Sequence, residues 1–174
     1  MHIAQIGTGR VGRPTAYTIL TLGFADELTV CDIKGKLAPA FAEELRHAAA
    51  SLGVDTKIIV ATHASEVSGA DIILISAGRS RRPGEKITRR DLTAINAKTV
   101  KEISQAIRSN NPGARYIVIT NPVDAMAMIC KKYSKADFVI STGTSLESAR
   151  FRARLAAAFD LPVSLVQGWV GGEQ

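Results

Sequence analysis

Ile3-Ala4-Gln5-Ile6-Gly7-Thr8-Gly9-Arg10-Val11-Gly12 opens the chain, and twenty residues past Gly12 stands Asp32, directly after Leu28-Thr29-Val30-Cys31. A short apolar run that passes into closely spaced glycines and then into helical periodicity reads as a strand, a tight turn and a helix. Glycines there allow backbone amides to approach a pyrophosphate closely, and the helix N-terminus adds a partial positive charge. Taken alone, the pattern fits a strand-to-helix turn without a ligand equally well. Asp32 tips the balance, because a carboxylate at the end of the second strand can accept hydrogen bonds from adenosine ribose hydroxyls, which favours NAD. A 2′-phosphate would meet Asp32 as a like charge, a preference that Lys34 moderates. The competing reading of Asp32 is a turn acid after a strand.

Outward from this stretch, short β-branched runs alternate with longer helical segments, the pattern of βαβ units in a parallel sheet. Strands are expected at 3–6, 28–31, 58–61, 72–75, 116–119 and 138–140, each nearly all apolar, as buried strands are. Helices are expected at about 11–22, 39–52, 91–108, 123–132 and 148–159. After Pro162 a further strand is expected over 163–170, with Trp169 packed at its edge. The fold class is therefore α/β, a doubly wound parallel sheet of Rossmann type with strand order 3-2-1-4-5-6. One dinucleotide-binding domain covers 1–174.

The chain has 174 residues, 46% hydrophobic and 22% charged, enough apolar material for one core and too much for a disordered chain. A net charge of +6 attracts anions, whether nucleic acid, nucleotide or acidic metabolite. Cys31 and Cys130 lie far apart in apolar surroundings, so neither a disulfide framework nor a metal site is expected, and a reducing compartment fits. No basic leader precedes an apolar stretch, and no run of roughly eighteen apolar residues occurs, so a soluble cytoplasmic protein is expected. His47, mid-helix, and His63, after a strand, have no base partner in sequence and read as structural.

Past the fourth strand, a loop from Ala77-Gly78-Arg79-Ser80-Arg81-Arg82 to Arg89-Arg90-Asp91-Leu92 carries five arginines at the carboxyl end of a parallel strand, where such sheets bind ligands. The fifth strand runs into Thr120-Asn121-Pro122-Val123-Asp124. Beyond the sixth comes Gly143-Thr144-Ser145-Leu146-Glu147-Ser148-Ala149-Arg150-Phe151-Arg152. In this order and placement, A-G-x-x-R, R-x-D-L, T-N-P and G-T-x-L-x-S-A-R-x-R resemble the lactate/malate dehydrogenase family over essentially the whole chain.

The resemblance implies an NAD cofactor held by Gly7, Thr8, Gly9, Arg10, Val11, Gly12, Asp32, Ala77, Gly78, Asn96 and Asn121. It implies that Arg150 pairs bidentately with the substrate C1 carboxylate and that Arg89 polarises the ketone on loop closure. Arg81 falls where malate-using members carry an arginine for a second carboxylate and lactate-using members usually have glutamine, so malate and oxaloacetate are favoured. Asn121 would hydrogen-bond the reacting oxygen, and Asn121-Pro122 would be a cis peptide. The implied reaction is reversible hydride transfer between malate and NAD, a step of the tricarboxylic acid cycle, in a homo-oligomer when full-length.

Two positions depart from the family pattern. Glu147 occupies the place of the aspartate that orients the catalytic histidine, and Gln174 occupies the place of the histidine itself, after Gly172-Glu173. An amide cannot take a proton near neutral pH, and losing general-base help costs about 10² to 10⁴ in rate. The family's substrate domain is absent from these 174 residues, which fits an excised domain, a gene fragment or a shortened protein kept for binding. A catalytically weak NAD-binding module, or a dehydrogenase of lactate or another 2-hydroxy acid, are the alternatives. A nonspecific nucleic-acid binder would bind DNA with steep salt dependence. An anionic dinucleotide and a dicarboxylic acid account for the basic surplus without nucleic acid or membrane.

Overall fold

The computed structural model describes residues 1–81 and 83–172. Six parallel strands, β1 (His2–Ile6), β2 (Glu27–Cys31), β3 (Lys57–Ala61), β4 (Ile72–Ile75), β5 (Arg115–Val118) and β6 (Val139–Ser141), form one sheet in the order β3-β2-β1-β4-β5-β6. The helices are α1 (Gly12–Thr21), α2 (Leu37–Leu52), α3 (Arg89–Ile107), α4 (Val123–Ser134) and α5 (Ser145–Ala158).

Alternation along the strands divides the apolar residues between two faces. Ile3, Leu28 and Val30 pack with Ala16, Leu20 and Leu45 of α1 and α2, whereas Ala4, Ile6, Ile73, Ile75 and Val118 pack with Val100, Ile107 and Met126 of α3 and α4. With both faces covered, the inner strands read as mostly apolar runs, interrupted by the buried Gln5 of β1 and Thr29 of β2. The sheet order reverses direction at β1, which pairs with both β2 and β4. The crevice beyond the carboxyl ends of β1 and β4 is the place such folds keep for a ligand.

The expected strand over 163–170 does not form. A short 3₁₀ turn, Val163–Leu165, is followed by irregular chain lying beside α5. The alternating residues there meet no sheet edge, and side chains take over part of the work of a ladder: the Thr144 hydroxyl donates to the Val170 carbonyl (2.6 Å), the Val170 amide donates to Ser148 Oγ (3.0 Å) and Arg152 Nη1 donates to the Gly168 carbonyl (3.1 Å). Trp169 accordingly packs at no strand edge. It is 85% exposed, with the Arg152 guanidinium 5.3 Å from the ring centroid.

Helix boundaries differ from the expected ones by a few residues, and at α3 a cap sets the start. α3 starts at Arg89 because the Asp91 amide donates to Thr88 Oγ1 (3.1 Å) while the Thr88 amide donates to Asp91 Oδ2 (3.1 Å), a reciprocal cap. The Thr88 hydroxyl, which donates to Asp91 Oδ2, and then the Thr88 amide hold the Asp91 carboxyl below its ordinary range. Among the described residues no helix is long and apolar enough to cross a membrane.

Both cysteines are free and buried. Burial, and then the neighbouring charge of Asp32, push the Cys31 thiol up to about 12. At pH 8 its thiolate fraction is then about 10⁻⁴. Iodoacetamide at pH 8 is expected to leave the native chain unlabelled and to label both thiols in urea, and rapid labelling of the folded chain at Cys31 would contradict the buried placement.

Candidate functional site

The first β-α turn is built by close contact. Gly7 has φ +94°, and a Cβ on it would lie 2.7 Å from the Ala77 backbone; a Cβ on Gly12 would lie 1.8 Å from the Gly7 carbonyl oxygen. Gly9 differs, because a Cβ there would meet nothing within 4 Å. The outer two glycines thus let backbone segments touch, and the middle one faces open space in the mouth of the turn. α1 begins at Gly12 with no side-chain cap and no acidic residue in its first turn. Its dipole and the adjoining amides are therefore available to an anion. An uncapped helix start beside glycines is chemically suited to an anion such as a pyrophosphate.

The Gly7 amide donates to the Cys31 carbonyl (2.8 Å), which ties the turn to the end of β2. Asp32, next in sequence, takes the Thr8 amide (2.9 Å) and Thr8 hydroxyl (3.0 Å) on Oδ2 and the Lys34 amide (3.0 Å) on Oδ1. The glycine turn and the acid paired with it in the sequence are thereby in direct contact.

Gln5 and Ser76 were not among the expected site residues, yet they hold the turn from below. Gln5 Nε2 donates to Ser76 Oγ (2.7 Å) and to the Gly7 carbonyl (3.2 Å), and Ser76 Oγ donates to the same carbonyl (3.1 Å). The signal was present: Gln5 is the polar residue of an otherwise apolar run, and burying it calls for partners.

Beside the turn lies a cavity of about 630 Å³ whose lining includes Val11, Gly78, Arg81, Asn96, Asn121 and Glu147. Its floor is rigid. Asn96 is 3% exposed; its Oδ1 accepts the Arg79 amide (2.8 Å), and its Nδ2 donates to the carbonyls of Arg79 (3.2 Å) and Asn121 (2.8 Å). Asn96 thus spends its amide on holding Asn121, which precedes the cis peptide to Pro122. Truncating Asn96 to alanine takes the partner from the part-buried backbone groups of Arg79 and Asn121 and is expected to cost about 1–2 kcal/mol in urea unfolding; no loss would mean that these hydrogen bonds carry little.

In the arginine loop, Arg79 is ion-paired with Glu85, and Arg81 Nε donates to the Glu85 carbonyl (3.3 Å). Arg10 and Arg81 share a second cavity of about 590 Å³ with residues 83–86. Arg150, one turn after Glu147 on α5, pairs with it at 3.5 Å and is 67% exposed. Arg150 does not line the main cavity. Arg89 starts α3 but its side chain lies outside the described residues, as do Glu173 and Gln174. No cluster of potential metal ligands occurs among the described residues. His47 and His63 are exposed, away from the cavity lining.

The profile of the lactate/malate dehydrogenase NAD binding domain matches residues 1–138. Malate dehydrogenases of Sulfolobus acidocaldarius and Sulfurisphaera tokodaii are each 42% identical, over 99% and 98% of this chain and 56% and 54% of their own. The apo malate dehydrogenase of Picrophilus torridus superposes with a TM-score of 0.87 at 31% identity, over 94% of this chain and 52% of that one. The chain spans about half the length of the curated relatives it matches.

Proposed function

The chain belongs to the lactate/malate dehydrogenase family through its NAD-binding domain, with NAD as cofactor, and from that premise we propose that it is the cofactor-binding half of an NAD-dependent malate dehydrogenase. The observation that carries the reading is the Gly7–Gly12 turn locked to Asp32 at the edge of a cavity that also holds Arg81 and Asn121. Bound there, NAD supplies the hydride acceptor, and the protein supplies position and charge.

In this reading the glycine-turn amides bind the pyrophosphate and Asp32 binds the adenosine ribose. Arg81 and Arg150 take the two substrate carboxylates. Because Arg150 is paired with Glu147 and stands outside the cavity lining, it must turn from that carboxylate to reach a substrate. Asn121, fixed by Asn96, donates to the reacting oxygen, and Arg89 stabilises charge developing on it. Bridging a dicarboxylate between two guanidinium groups distinguishes oxaloacetate from pyruvate. Malate and oxaloacetate as substrates, a place in the tricarboxylic acid cycle, a cytoplasmic setting and a homo-oligomeric whole protein all belong to this proposal.

Gln174 favours a second reading, an NAD-binding module with little or no turnover, because it stands where the family's proton-accepting histidine does. Two measurements decide. Calorimetry with NADH is expected to show one saturable site, and its absence would remove the cofactor role. Following NADH absorbance with oxaloacetate then separates the readings: turnover supports the dehydrogenase, and binding without turnover supports the module.

A further inference from the structure

We infer that the Thr8 hydroxyl is a positioning group for cofactor choice: by gripping the Asp32 carboxylate it keeps that negative charge aimed at the adenosine ribose and so sets the preference for NADH over NADPH. The inference rests on the cofactor reading above and goes beyond it by assigning part of the specificity to a side chain that acts through Asp32.

Thr8 is 1% exposed, so its hydroxyl has almost no access to bulk water and must find a partner inside the protein. The partner is Asp32 Oδ2, at 3.0 Å, the same oxygen that accepts the Thr8 amide at 2.9 Å. The Lys34 amide occupies Oδ1 at 3.0 Å. An ionised carboxylate has about four acceptor positions. Three are therefore filled by the protein, which leaves the carboxylate with a fixed orientation and about one direction for a sugar hydroxyl.

Of the three donors, two are backbone amides that almost any sequence would supply. The hydroxyl is the contact chosen by residue type. Thr8 is itself well anchored, since Arg13 Nε donates to its carbonyl at 3.0 Å and the Gly7 amide before it is tied to Cys31. Without the hydroxyl, Oδ2 keeps a single donor and the carboxylate can swing. Lys34 and Lys36, both exposed on the turn that follows, carry the positive charge that a 2′-phosphate seeks. An Asp32 free to swing opposes that phosphate less and holds a ribose hydroxyl less well. Both changes push the choice in one direction.

The test is calorimetric titration of the chain with NADH, NADPH and reduced nicotinamide mononucleotide, which lacks the adenosine ribose. Thr8→Val, close to isosteric but without the donor, is expected to bind NADH about tenfold more weakly, as suits a lost hydrogen bond to a charged group. NADPH should change by less than about threefold, so the NADH preference falls by roughly an order of magnitude, and the mononucleotide should be unaffected. Thr8→Ser, which restores the donor, should stay within about threefold of the unaltered chain for all three. If valine is not accommodated, Thr8→Ala gives the same comparison. Where NADPH binds too weakly to titrate, a loss confined to NADH and absent for the mononucleotide decides in the same sense. Equal losses for all three ligands, or NADH binding unchanged in the valine variant, would overturn the role given to Thr8 while leaving the cofactor reading intact. An unaltered chain that binds no NADH would remove the cofactor reading, and this assignment with it.

Discussion

Gly12→Ala is expected to destabilise the chain by about 3 kcal/mol and to weaken NADH binding by more than about 100-fold, whereas Gly9→Ala should keep native stability and lose binding alone. The difference follows from what each added methyl would meet. At Gly12 it would lie 1.8 Å from the Gly7 carbonyl oxygen and 2.8 Å from Ser76 Oγ. The first of these is backbone that Gln5 and Ser76 hold in place by hydrogen bonds, so it cannot turn aside as the end of a flexible side chain would. Either α1 moves away from the turn or the Gly7 peptide rotates, and each displaces the amides that would face a pyrophosphate. At Gly9 the methyl enters open space, so the fold has no reason to respond. That space is where the bound phosphates are proposed to lie, and filling it should cost about tenfold or more in affinity. Urea unfolding and calorimetry on both variants separate the two effects. A Gly9→Ala chain that binds NADH normally would show that the mouth of the turn is not the phosphate site, and a stable, binding-competent Gly12→Ala would show that the close packing is dispensable.

The contrast between Gly9 and Gly12 also marks how far the sequence could be read. The glycine spacing and Asp32 announced the turn and its acid, because tight turns and buried parallel strands leave few residue types to choose from. Strand order went with the glycine fingerprint of the Rossmann arrangement, because alternation of strands and helices alone admits other right-handed parallel orders as well. Which glycine serves packing and which faces a cavity was not legible, since both occur as the same letter and only the neighbouring backbone separates them. Segment 163–170 misled because its β-like alternation is a local property, whereas a strand needs a partner edge. Asn96 was legible as a site residue only through family resemblance, and its place under Asn121 depends on a contact between α3 and the loop after β5. The arginine loop is the instructive case: five like charges in sequence look equivalent, yet of the two that line the cavity among the described residues Arg79 is ion-paired with the Glu85 carboxylate, whereas Arg81 gives only its Nε to the Glu85 carbonyl.

That sorting of arginines makes a sharp expectation for substrate choice in the whole protein. Arg81→Gln should lower kcat/KM for oxaloacetate by about 10²- to 10³-fold and leave that for pyruvate within a few-fold, since truncating one partner of a hydrogen-bonded charge pair typically costs about 2–5 kcal/mol. Oxaloacetate carries a carboxylate where pyruvate has a methyl hydrogen, so only the larger substrate has a group to lose when the guanidinium goes. Glutamine keeps a hydrogen-bond donor but ends two bonds short of the guanidinium Nη atoms and carries no charge, so the change removes charge, bidentate geometry and reach together. Arg79→Gln is the matched control: its guanidinium is committed to Glu85, and its removal should alter the oxaloacetate-to-pyruvate ratio by less than about threefold. Steady-state kinetics with both substrates on both variants gives the two ratios. If Arg81→Gln left the ratio unchanged, the second carboxylate would have to be recognised elsewhere; if Arg79→Gln moved it as much as Arg81→Gln, the Glu85 pair would have to open on substrate binding, and the loop as a whole, not Arg81, would read the dicarboxylate.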